Sequence, residues 1–137
     1  MAMDGETLQD TAQEHAETLV DAGLEHPFGP DWEVFKVRGK VFMLMTEVPG
    51  KPVVILKSDP GEAEALRETH ADITPGYHMN KRHWITLAPG DSIDKGLVRE
   101  LVTESYRLVV DNLPRSRRPV GSPSRKPATR PDVRAAG

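Results

Sequence analysis

The segment Tyr77-His78-Met79-Asn80-Lys81-Arg82-His83-Trp84 gathers two cations, an amide, two imidazoles and two further aromatic rings within eight residues. Phosphate contacts need cations and N–H donors, and base contacts need flat apolar or amide surface, so this mixture suits a nucleic acid. The same residues also have a structural reading. Asn80 can hold a turn through local backbone hydrogen bonds, Lys81 and Arg82 can form a solvated tip, and Trp84 can open a strand from the core. Lys36, Arg38 and Lys40 bracket a second turn at Gly39, and Lys51 follows a third at Pro49-Gly50. Cations on two hairpin tips can grip phosphates as wings, each neutralised phosphate releasing counterions. Charged turns are equally ordinary hairpin surface.

A third source of cations lies after Pro114, where Arg115, Arg117, Arg118, Arg125, Lys126, Arg130 and Arg134 are interleaved with Pro, Ser and Gly. Such a stretch has little to bury and is expected to be disordered in isolation, able to follow a polyanion without reading its sequence. A solubilising appendage and an intramolecular partner for acidic residues are the competing readings. The acids sit at the other end of the chain: residues 1–35 hold nine Asp or Glu and no Lys or Arg, whereas residues 36–114 hold eleven of each sign. The formal charge of −3 therefore conceals an acidic start and a basic finish.

Other chemistries find less support. Without cysteine there is no disulfide, thiolate zinc site, iron–sulfur cluster or cysteine nucleophile. His15, His26, His70, His78 and His83 show no zinc-ligand spacing, and no glycine-rich phosphate loop, nucleophile elbow or dinucleotide fingerprint is present. Catalysis, a metal and a cofactor are therefore not expected. Phe28, Trp32, Tyr77, His78, His83 and Trp84 offer an alternative, an aromatic pocket for a small molecule or a protein segment.

These side chains need a scaffold. Leu8, Ala12, His15, Ala16 and Leu19 recur at helical spacing and predict a helix over about Glu6 to Ala22, stopped by Gly23. Its outer stripe, Glu6, Asp10, Glu14, Glu17 and Asp21, reads as a solvated face, with weak binding of hard cations or protein docking as alternatives. WEVFKV, KVFMLMT and PVVILKS, separated by Arg38-Gly39 and EVPGK, read as an antiparallel meander. In the first run Trp32, Val34 and Lys36 share one face and Glu33, Phe35 and Val37 the other, so period two does not decide which is buried. Asp59-Pro60-Gly61-Glu62 is a helix start, with a cap, a proline at the first position and a capping-box glutamate, for a helix to about His70. HWITLA is a further strand, alone or paired, and residues 93–112 form a last helix with Leu97, Val98, Leu101, Val102, Ser105, Leu108 and Val109 on a broad inner face, ended by Pro114. The order α-β-β-β-α-β-(β)-α predicts an α+β domain over residues 1–114, an antiparallel sheet flanked by helices, with residues 115–137 as a tail.

The stretches HPFGPDWEVFKVRGKVFMLM, LKSDPGEAEALRETHADITPGYHMNKRHWITL and ESYRLVVDNLP together resemble the MmcQ/YjbR family of small bacterial proteins over about residues 8–114. PGYHMNKRHW, Pro75 to Trp84, is the most specific part, supported by Pro27 to Gly29 and by Leu56 to Pro60. The resemblance implies a frataxin-like (CyaY-like) fold. It also implies DNA binding, since members are commonly described as DNA-binding proteins with a double wing of β-hairpins, a label resting on structural analogy. Frataxins bind iron through acids on the first helix and sheet edge, which invites comparison with the acidic stripe here.

The sequence thus leads to a non-catalytic, cofactor-free DNA-binding protein. Its contacts are expected at Lys36, Arg38, Lys40, Lys51, Asn80, Lys81, Arg82, Arg115, Arg117 and Arg118, with the aromatic pocket as the rival reading. No apolar run of membrane-spanning length and no secretory leader pattern occur, so a cytoplasmic monomer is expected.

Overall fold

The computed structural model describes residues 3–26, 31–48, 50–77 and 79–119. Its elements are α1 (Gly5–Glu17), β1 (Ala22–Glu25), β2 (Glu33–Val37), β3 (Lys40–Val48), β4 (Lys51–Lys57), α2 (Pro60–Thr69), β5 (Ile73–Pro75), β6 (Trp84–Leu87) and α3 (Lys95–Asp111), followed by a 3-10 turn at Arg115–Arg117. The strands form one antiparallel sheet in the order β1-β2-β3-β4-β6-β5. This is the α+β architecture that the hydrophobic pattern predicts.

Each helix starts where its cap residue can satisfy free amides. Asp4 accepts from Thr7 N, Asp59 from Gly61 and Glu62 N, and Asp94 from Leu97 N. The first helix is shorter than its apolar spacing suggests. It ends at Glu17 because the Thr18 hydroxyl and amide both turn back onto the His15 carbonyl. The chain then passes through Asp21 at φ 62° and adds β1 beside β2, so Gly23 lies in an edge strand and stops no helix. Leu19 and Ala22 still pack on the core, which explains why the periodicity runs on past the helix.

Leu8, Ala12 and Ala16 of α1 and Val98, Val102, Tyr106, Val109 and Val110 of α3 cover the sheet face made by Phe35, Val37, Met45, Val54, Leu56, Ile85 and Leu87. Between β2 and β3 the pairing Phe35 with Met43 and Lys36 with Val41 leaves Phe42 as an extra residue. Such a bulge puts two successive side chains on one side, and Phe42 and Met43 both enter the helix-covered core. The carbonyl this frees is not wasted: Ser105 Oγ on α3 donates to Phe42 O at 2.5 Å and accepts from Lys57 N at 2.9 Å. One hydroxyl therefore ties α3 to the bulge of β3 and to the end of β4.

The outer face of the sheet is also apolar at its centre. Val34, Leu44, Val53 and Ile55 are no more than 4% exposed although none of the described helices contributes to their cluster. Trp32, Tyr77, Met79 and Trp84 shield them, the Trp32 and Tyr77 rings lying parallel with centroids 6.4 Å apart. Period two left β2 undecided because both of its faces are buried.

Candidate nucleic-acid interface

In a meander, successive turns lie at opposite ends of the sheet, and this decides which cations can act together. The Arg38-Gly39 turn, with both residues in the left-handed region (φ 51° and 81°), joins β2 to β3 as a tight two-residue hairpin of the kind whose twist matches the strands. It lies at the end where β4 finishes at Lys57 and β6 begins at Trp84, since Lys57 pairs with Trp84. Lys51 pairs with Val48 at the other end of β3, eight residues along the strand from Lys40, or roughly 26 Å at ~3.3 Å per residue. Lys51 instead acts on Asp72, whose pKa is held down mainly by hydrogen bonds from the Ser92 hydroxyl and amide and further by the Lys51 charge. The two hairpin tips therefore lie at opposite ends of the sheet, and Lys51 is remote from Lys36, Arg38 and Lys40.

Two further cations are occupied at the near end. Lys36 Nζ lies 3.1 Å from Glu25 Oε1, and Arg38 Nη2 lies 3.0 Å from Asp21 Oδ2. The acids come from β1 and the turn before it, elements that the hydrophobic pattern did not reveal. Exposed pairs of this kind contribute little stability, but they cancel the local field of the first wing.

The loop from Gly76 to His83 is built by local bonds. Asn80 Oδ1 accepts from Arg82 N at 2.9 Å and His83 N at 3.2 Å, the turn-holding role open to an asparagine. Lys81 Nζ donates to Gly76 O at 3.0 Å, so its ammonium closes the loop. Gly76 passes so near Trp84 that a Cβ there would stand 2.5 Å from the Trp84 Cβ. Tyr77 N donates to Thr86 Oγ1, which in turn donates to Pro75 O, fixing the loop over β6. Arg82 and His83 project from it into solvent.

Lys40, Lys57, Arg82, Arg115 and Arg117 remain, and among the described residues none of the five forms an ion pair. Lys40 and Lys57 line a cleft of about 370 Å³ together with Val41, Trp84, Val109, Asn112 and Leu113. Arg82 stands two residues before Trp84, and the His83 carbonyl accepts from Ser58 N at 2.8 Å, which joins this loop to the end of β4. Arg115 and Arg117 lie two and four residues after Leu113, in the 3-10 turn. The chain does not swing free at Pro114: Arg118 Nε donates to Leu113 O at 3.0 Å and Nη2 to Asp111 O at 2.9 Å. Arg118 thereby caps the carbonyl end of α3 and offsets its negative dipole, leaving Lys40 and Lys57 without that task. Lys57 and Asn112 escaped sequence reasoning. Strand parity could have found Lys57, because β3 starts at the end where β4 stops; Asn112 carries no signal in the sequence.

The aromatic residues of the rival reading are divided. Trp32 and Tyr77 border a separate cleft of about 660 Å³ with Gln9, Asp31, Glu33, Met45, Thr46 and Glu47, whereas Trp84 lines the basic cleft and His83 lines neither. Phe28 and His78 lie outside the described residues, as do Arg125, Lys126, Arg130 and Arg134. Among the described residues, no group of three His, Asp or Glu is placed to hold a metal, and no helix is long and apolar enough to cross a membrane.

A single antiparallel sheet with three helices on one face and a loop-covered outer face defines a small α+β domain of the kind seen in two solved proteins. A Deinococcus radiodurans protein, DR2400, superimposes with a TM-score of 0.70 at 26% identity, covering 90% of this chain and 96% of that one. A Pseudomonas syringae protein gives 0.64 at 28% identity, over 77% and 98% of the two chains. The sequence model of the YjbR family matches residues 17–108, and this chain belongs to that family. Among its relatives, the Escherichia coli O157:H7 protein YbdF is 46% identical over 111 residues, 81% of this chain and 91% of its own length. YjbR of E. coli K12 is 37% identical over 102 residues, 73% and 86% of the two chains, and both relatives are described as uncharacterized proteins.

Proposed function

We propose that the protein binds DNA with one end of its sheet, through Lys40, Lys57, Arg82, Arg115 and Arg117, and that Lys36 and Arg38 of the first hairpin, held in ion pairs, contribute little. The observation that carries this reading is the pairing pattern: Glu25 of β1 and Asp21 just before it neutralise Lys36 and Arg38, while the other five cations form no ion pair among the described residues, Arg82 sharing an open cleft with Glu64 and Arg67. Asp59, the nearest acid in sequence to Lys57, is engaged with the amides of α2. Five contacts correspond to a slope of log K against log salt of about −3.5 for a single strand and about −4.5 for a duplex. Between 50 and 200 mM salt, affinity should therefore fall about 100- to 500-fold. Fluorescence anisotropy of a labelled oligonucleotide across that range tests this. An affinity that does not change with salt, or no binding at micromolar full-length protein, overturns it.

A further inference from the structure

We infer that the cleft between Trp84 and the end of α3 receives one unpaired nucleotide, so that the preferred partner is single-stranded DNA. This rests on the DNA-binding reading and specifies which form of DNA it concerns. A site that only neutralised a duplex backbone would be convex or flat and lined by polar groups. Here the basic end holds a hollow of about 370 Å³ lined by Val41, Trp84, Val109 and Leu113. That is room for one base and its sugar, within the size range of small-ligand sites.

The chemistry is distributed as a nucleotide requires. Trp84 packs against the outer-face cluster of Val34, Leu44, Val53 and Ile55, and its backbone is held by Gly76, whose N donates to Trp84 O at 2.9 Å. A tryptophan packed on the sheet and bordering the cleft offers a stacking platform, and every base has a π-face to lay on it. Lys40 and Lys57 line the same cleft and can reach a phosphate on either side of the base. The Lys57 backbone is held by Ser105, so this strand end is pre-positioned. Asn112 is exposed beside the cleft, and its side-chain amide makes no hydrogen bond within the described residues, leaving a donor and an acceptor for a base edge. A base stacked inside a duplex cannot enter such a hollow without first being unpaired and unstacked.

The test uses the full chain and three probes under one salt condition: a labelled 12-nucleotide single strand, the same strand annealed to its complement, and free thymidine monophosphate as competitor. The single strand is expected to bind about tenfold or more tightly than the duplex. Trp84→Leu is expected to weaken single-strand binding about tenfold, leaving duplex affinity unchanged. Because Trp84 also supports the outer face, the exposed Asn112→Ala provides a second variant, with a loss of about fivefold for the single strand alone. Competition by the mononucleotide at millimolar concentration further supports the pocket. Equal or tighter binding of the duplex, or an Asn112→Ala protein identical to the parent on the single strand, overturns the inference while leaving the charge-based reading intact. Failure of both DNA forms to bind overturns the two together.

Discussion

Replacing Ser105 by alanine removes one oxygen from the interior, yet the structure makes it a costly change. Ser105 is fully buried and its Oγ serves two backbone groups that no strand neighbour can reach, Phe42 O at the bulge and Lys57 N at the end of β4. An abandoned buried backbone group costs about 1–3 kcal/mol, so the two together should lower stability by about 2–4 kcal/mol, with some relief if water enters. At ~2.1 cal/mol/K of unfolding entropy per residue, a domain of this size loses about 4 °C in melting temperature per kcal/mol, giving a fall of about 10 °C. Urea and thermal unfolding followed by circular dichroism measure this. Hydrogen exchange adds a local readout, because the Lys57 amide should exchange at least tenfold faster while the amides between β2 and β1 do not. A variant within 0.5 kcal/mol of the parent, with Lys57 still protected, would show that Ser105 does not secure the basic end.

Other consequences are simpler. His15 Nε2 meets Thr103 Oγ1 between α1 and α3, and burial first, then the Arg99 charge, lowers its pKa from 6.5. The folded protein therefore holds that proton less well than the unfolded chain, so this contribution is intact above pH 6.5 and lost as pH falls below it. His15→Gln should flatten the dependence of melting temperature on pH between 7.5 and 5.5, and an unchanged curve would count against it. Asp72 acts in a separate window: its lowered pKa means that Ser92-dependent stability is present above pH 3.8 and declines on further acidification, which Asp72→Asn should abolish in acid unfolding. Asn80→Ala removes the acceptor for two loop amides and should cost about 1 kcal/mol in urea unfolding, with most of the chemical-shift change confined to residues 76–84. Gly76→Ala forces a Cβ against Trp84 and should cost about 1–3 kcal/mol with a shift in tryptophan emission.

How much of this could be read from the sequence depends on how local the cause is. Asp59-Pro60-Gly61-Glu62 announces α2 because capping is settled within four residues, and Asp59 does accept from Gly61 and Glu62. Arg38-Gly39 announces a hairpin for the same reason. The β1 strand is invisible because AGLE has no strand pattern of its own and exists only through its pairing with β2. That one omission hides the partners of Lys36 and Arg38 and makes the first wing look free. The loop Tyr77 to Trp84 was recognisable as a special segment, but its residues serve different ends: Asn80 and Lys81 fold the loop, Tyr77 covers the sheet, and Trp84 faces the basic cleft. Residue types alone do not separate those roles, since each depends on contacts far along the chain, such as those of Trp84 with Val34, Leu44, Val53 and Ile55.

The position of the cations within the sheet can be tested by moving nothing but charge. Lys40→Gln with Lys57→Gln removes two contacts at the near end and should reduce the slope of log K against log salt by about 1.4–1.8, whereas Lys51→Gln, singly or with a second remote lysine such as Lys95, should leave it unchanged. If the remote substitutions weaken binding as much as the near pair, or the near pair leaves the slope intact, DNA does not bind at this end of the sheet.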